Sequence, residues 1–338
     1  MPSIVLSSSI ALDTICFLET RNMQKIKWMN KAQIETIEEI NLLLPSDFGN
    51  EVLGMSTLSL IISAFTDNSL DHITLDDLIT ILESTDHIEK TVKEKIPDGF
   101  TASYVHPMLK WLKDGCNTKY IEKIMIIKNI GFEKLYFEKI LPLIKREIES
   151  KQVEISRVSH ERLFENISLL KNTRITDDVK IFVSFFSYPT AFTLYNGSFL
   201  TCFTEKSKID FISIIAHELM HGFASIELTE LYRNYVSKNE FLYQCHTKLI
   251  NEFHSGDEEE FVMAAEYFLC LRTGLYNKSE LMKYAKTRYK GCCPVAAIIF
   301  ELLEKENDVP KNYNQWLINI FKQNMLPCRN VKEYVDAL

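Results

Sequence analysis

Apolar positions recur at helical spacing over most of this chain. In "KAQIETIEEINLLL", "YVHPMLKWLKDG", "YIEKIMIIKNIG" and "FEKLYFEKILPLIKREIE", apolar residues fall three and four apart with charges between them, which predicts amphipathic helices. "TLDDLITILES" opens with Thr74 and has Asp77 three residues on, a capping-box pattern, and "DHIEKTVKEKI" repeats it with Asp86 and Glu89. Gly115 and Gly131 lie just past helical stretches, where C-terminal caps belong. No fixed repeat period with shared residues joins these segments. Residues 1–170 are therefore expected to be a helical region.

The pattern changes near Asp177. "VKIFVSFF" is β-branched and aromatic, and "AFTLYNGSFLTCF" sets Asn196-Gly197 between two alternating runs, a strong hairpin signal. A small antiparallel sheet is expected over about 179–204. Helical periodicity returns after Ser207, which with Asp210 forms another capping-box pattern, and continues through "SELMKYAKTRY", "VAAIIFELLEKEN" and "NQWLINIFKQN". The expected fold class is α+β, mainly α, with a second domain over 171–338.

Composition narrows the setting. The net charge is −8, and no basic run forms a nucleic-acid footprint, so no nucleic-acid partner is expected. The N-terminal "MPSIVLSSSIALDTICFLE" lacks a positive start and is interrupted by Asp13, which argues against a signal peptide. No run reaches the 18 apolar residues of a membrane span, so a cytoplasmic protein is the expectation. The eight cysteines form no C-x-x-C pair and read as reduced thiols. Adjacent Cys292 and Cys293 precede Pro294, which suits a helix start.

The chemistry sits in "FISIIAHELMHGFASIE". His217, Glu218 and His221 match H-E-x-x-H, and histidines four apart on a helix stack on one face. Two imidazoles so placed can bind one Zn2+, with Glu218 between them positioned as general base toward a zinc-bound water. Catalytic zinc usually takes a third protein ligand. Glu227 has the offset of the longer H-E-x-x-H-x-x-G-x-x-H pattern, but Ala224 stands where that pattern needs glycine. The better source is "SGDEEEFVMAAEYFLCLRTG". There Glu260 shares a helix face with Met263, Ala264, Tyr267 and Leu271, whereas Glu259 shares its face with a second acid, Glu266. Glu260 is therefore the expected ligand, and Glu266 a candidate for orienting an imidazole. Three acids in a first turn also suit the helix dipole as a solvated start. The nearby histidine His254 is the expected oxyanion donor, with Tyr243 and Tyr267 the next candidates; His246 reads as a spare, exposed histidine.

"HELMH" followed by "EEFVMAAEYF" resembles the gluzincin metallopeptidases, nearest their lethal-factor-like branch, over about residues 180–272. The resemblance implies a zincin-like catalytic domain, a glutamate ligand on a second helix at Glu260, and a peptide or protein substrate. The thermolysin-type E-N-x-x-x-S/D and the aminopeptidase G-x-M-E-N patterns are absent. Two other classes compete. One is a protease-like fold kept as a binding or regulatory module, against which the intact Glu218 stands. The other is a helical interaction protein with a coincidental H-E-x-x-H, which would bind no metal.

Overall fold

The structure is a computed structural model that describes residues 2–21, 29–49, 54–96, 102–156, 158–187, 191–203, 211–253 and 255–338. The fold is mainly helical with one small sheet. By internal contacts the chain divides into two units. One comprises Ser3–Glu154 and Asp178–Ile209; the other comprises Met1–Pro2, Ile155–Asp177 and Asp210–Leu338. The strands that were expected to open a second domain at 171 thus group with the N-terminal helices, while the helix His160–Lys171 groups with the C-terminal ones.

Among the described residues of the first unit, four strands run β1 (Ile4–Ser7), β2 (Val179–Ser184), β3 (Phe192–Thr193) and β4 (Phe199–Cys202), in the spatial order β1-β2-β4-β3. The hairpin forms, with β3 antiparallel to β4 and Phe192 opposite Leu200. Its connection is Tyr195–Gly197, with Asn196 and Gly197 both at positive φ, the conformation for which Asn-Gly is selected. The rest of the sheet corrects the antiparallel expectation. β2 is parallel to β4, and β1, unrecognised in the sequence, is parallel to β2 with Ile4 opposite Val179. The reason lies in β2 itself. It is buried along nearly its whole length, and strands covered on both faces read as continuous apolar runs rather than alternations.

Asp13, which interrupts the first apolar run, organises this core. The helix Ile10–Thr20, capped by Ser9, is buried almost all round, so Asp13 has no route to water. Its Oδ1 accepts from Ser184 Oγ at 2.6 Å, Phe185 N at 2.7 Å and Phe186 N at 3.3 Å, and its Oδ2 accepts from Tyr136 OH at 3.2 Å. One carboxylate thereby ties the first helix to the exit of β2 and to a later helix. Gln33 Nε2 makes a second tie, donating to Phe185 O at 2.7 Å and Phe203 O at 3.0 Å.

The Thr74–Asp77 capping box forms in both directions and opens the helix Leu75–Glu83. The Asp86–Glu89 box does not. That helix begins at Thr85, and Glu89 turns instead to Lys93 and Lys113. The Ser207–Asp210 box lies outside the described residues. Among the described residues, no helix is long and apolar enough to cross a membrane.

Burial pushes the Asp13 carboxyl up from 3.8 to about 6, against the four hydrogen bonds that favour its charge. The folded state therefore holds this proton more tightly than the unfolded chain, and stability falls as pH rises from about 4 through 6. Asp13→Asn keeps an acceptor for Ser184 and Phe185 but cannot ionise. Urea denaturation should show the stability of the natural chain, relative to the variant, falling by about 2 kcal/mol between pH 4 and 7. A pH-independent difference would refute the assignment.

Candidate metal centre

The C-terminal unit is built around the helix Glu259–Thr273, in which every residue from Glu259 to Cys270 is buried. It packs against the helices Phe211–Met220 and Pro294–Glu304. A helix buried on all sides can carry carboxylates only where each meets a donor or a cation. Glu258, Glu259, Glu260 and Glu266 all do, and they face in different directions.

His217 and His221 lie on and just after Phe211–Met220. Gly222, at φ +78°, ends this helix in the left-handed conformation that glycine adopts without strain. Lys171 Nζ secures the same end by donating to Leu219 O at 2.9 Å and His221 O at 3.0 Å. Each imidazole then meets its own carboxylate. His217 Nδ1 is 2.8 Å from Glu266 Oε2, and His221 Nδ1 is 2.9 Å from Glu258 Oε1, which also accepts from Gly222 N at 3.1 Å. Ser213 and Arg288 donate to Glu266 in turn.

These partners fix the tautomers. With both Nδ1–H groups donated to carboxylates, both Nε2 atoms present lone pairs, and they face each other at 3.2 Å. Two lone pairs at that distance repel unless a cation lies between them. Without a metal a proton does this work. Burial opposes charge on His221, but its hydrogen bond to Glu258 and the fields of Glu258, Glu218 and Glu259 raise it to about 9. The spacing also fits a metal: two zinc–nitrogen bonds of about 2.0–2.1 Å at a tetrahedral angle place the nitrogens about 3.3–3.4 Å apart.

The third group that could join them is Glu259. Its Oε1 is 3.7 Å from His217 Nε2 and its Oε2 is 3.9 Å from His221 Nε2. One ligand atom each from His217, His221 and Glu259 lie within 4.8 Å of one another, so this trio can hold a metal ion. His221 keeps 22% of its side chain exposed, against 9% for His217 and 8% for Glu259, which places the solvent opening on its side.

Glu260, the expected ligand, points elsewhere. Its Oε1 accepts from Tyr232 OH at 2.7 Å, and its Oε2 accepts from Val295 N at 2.6 Å and Ala296 N at 3.1 Å. It caps the unsatisfied N–H groups at the start of Pro294–Glu304. Burial pushes its carboxyl up to about 7, against those three bonds. The second acid on the face of Glu259 does not count against it, because Glu266 is occupied by His217. Nor is the triple glutamate a solvated start: Glu258, Glu259 and Glu260 are 5%, 6% and 2% exposed.

The oxyanion candidates fare differently. His254 lies outside the described residues. Tyr243 is exposed, and Tyr267 is buried against Tyr284 and Phe300. His246 is not a spare exposed residue; it bridges Tyr232 OH at 3.3 Å and Asp257 Oδ1 at 3.2 Å. Arg288 and Tyr289 went unrecognised, since nothing in "TRYKG" signals that its backbone would turn them toward Glu266 and Glu259.

The chain gives no significant match to any family model, to any curated protein or to any solved structure.

The two neighbouring glutamates should separate cleanly on mutation. Glu259→Ala should lose metal affinity in a chelator competition while destabilising less than Glu260→Ala, since only the part-buried Tyr289 hydroxyl loses its acceptor. Glu260→Ala leaves two buried backbone N–H groups without an acceptor, at about 1–3 kcal/mol each, so it should destabilise strongly. Metal loss in the Glu260 variant at unchanged stability would return the ligand to Glu260.

Proposed function

We propose that the chain is a zinc-dependent peptide hydrolase in which His217, His221 and Glu259 hold the metal and Glu218 is the general base. The observation that carries the reading is the pair of Nε2 atoms 3.2 Å apart, each imidazole held from behind by a buried carboxylate. Both imidazoles direct Nε2 to one point, and Glu259 reaches the same point at 3.7 and 3.9 Å. Carboxylate–histidine pairs of this kind orient metal ligands and raise their basicity. The H-E-x-x-H spacing and the likeness to gluzincins support the same reading, with the glutamate ligand at Glu259 instead of Glu260.

Zinc bound there would supply a Lewis acid for a peptide carbonyl and lower the pKa of a water to about 7. The chain supplies the rest. Glu218, buried and next to His217 on the same helix, accepts the proton of the attacking water and delivers it to the leaving amine. Glu258 and Glu266 hold the imidazoles by Nδ1, which leaves Nε2 of each as the atom that would hold the metal. Lys171 and Gly222 hold the end of the helix that carries them.

Elemental analysis of the purified protein should find one zinc per chain. Glu218→Gln, nearly isosteric, should retain that zinc and lose about 10²–10⁴ in turnover on a peptide library, the usual contribution of a general base. A metal-free natural protein would leave a helical protein with a coincidental motif. A zinc-loaded Glu218→Gln protein that still turns over substrate would remove Glu218 from its role.

A further inference from the structure

Three consecutive residues beside the candidate metal centre, Tyr289, Lys290 and Gly291, have φ of 49°, 57° and 78°. Gly291 adopts the left-handed region freely; Tyr289 and Lys290 do not, because their Cβ crowds the following carbonyl. Strain of this kind persists only where surrounding contacts over-determine it, and it concentrates at functional sites. Two of the contacts from this turn reach the candidate trio or the carboxylate behind it. Arg288 donates to Glu266, the carboxylate behind His217. Tyr289 OH donates to Glu259 Oε1 at 3.0 Å. The Tyr289 ring lies 4.9 Å from that of Phe253, which fixes the phenol from its other side.

We infer that the strained turn Arg288–Gly291 sets how Glu259 ligates the metal, with the Tyr289 hydroxyl taking one lone pair of Oε1 and so weakening that oxygen as a ligand relative to Oε2. This rests on the metal-centre reading above and adds a coordination number to it. Two imidazoles and one carboxylate oxygen make three protein ligands and leave a fourth position for water or substrate, the open arrangement that catalysis requires. A carboxylate free to bind through both oxygens would fill a further position and crowd that opening. Tyr289 is thus a positioning residue that acts through Glu259, and Arg288 does the parallel work for His217 through Glu266.

The test is Tyr289→Phe, which keeps the ring against Phe253 and removes only the hydroxyl. The natural and variant proteins are compared after replacing the metal with cobalt(II), whose visible absorption weakens when coordination rises from four to five. Tyr289→Phe should still bind one metal per chain, with affinity lowered about 10–100-fold in a chelator competition, as for other partners of metal ligands. Its cobalt band should weaken toward the five-coordinate form. Arg288→Lys should lower affinity without that spectral change, because it disturbs an imidazole and not the carboxylate. If Tyr289→Phe is too unstable to measure, the same expectation applies in a Lys290→Gly background, which relieves the neighbouring strained residue. A cobalt spectrum and affinity unchanged by loss of the hydroxyl overturn the proposal, as does an identical spectral change in Arg288→Lys, which would mark general loosening. A natural protein that binds no stoichiometric metal fails earlier and brings down the metal-centre reading itself.

Discussion

Buried negative charge is the constraint on which the C-terminal unit depends. Glu258, Glu259, Glu260 and Glu266 all lie on or beside one helix that has no solvent face. Each would be costly to bury alone. Each instead determines what stands next to it: an imidazole and a backbone N–H for Glu258, a phenol for Glu259, a helix N-terminus for Glu260, an imidazole with an arginine for Glu266. Arg288 and His217 outweigh the cost of burial at Glu266 and hold its carboxyl down at about 2. Glu260 has only neutral donors besides the field of His246 and rises to about 7. Two carboxylates six positions apart on one helix thus differ by several pKa units, because one faces fixed positive charge and the other faces hydrogen-bond dipoles.

This difference also marks how far the sequence was legible. The H-E-x-x-H spacing is a local property of one helix, and His217 and His221 stand where it places them. The choice between Glu259 and Glu260 is a rotation of about 100° about the partner helix, and helical periodicity cannot resolve it when every face is apolar. What turns Glu260 away from the imidazoles is tertiary: Val295 and Ala296 take it as their acceptor. Arg288 and Tyr289 were out of reach for a related reason. Their placement comes from a left-handed backbone that two bulky residues would not adopt on their own.

In the first unit, the hairpin was legible because Asn196-Gly197 carries its own backbone preference. The parallel pairing was not, since the partner of β2 lies at the start of the chain and no local pattern joins "SIVLS" to "VKIFVS". Asp13 looked like a flaw in an apolar run. It is the acceptor around which Ser184, Phe185, Phe186 and Tyr136 converge.

The pairing of Ile4 with Val179 has a consequence for how the protein comes into being. During synthesis, the first strand and its helix emerge long before the central strand that completes their sheet. Translation at about 5–20 residues per second separates the two by roughly ten to thirty seconds. For that interval Asp13 has no Ser184 or Phe185 to receive, and the apolar face of the nascent helix has no sheet to cover it. The segment Ile155–Asp177, which belongs with the later unit, leaves the ribosome before β2 and must also wait for its own partners. The two units are therefore interleaved in time as well as in sequence. A chain released near residue 170 would lack the strands that complete the first unit and most of the second.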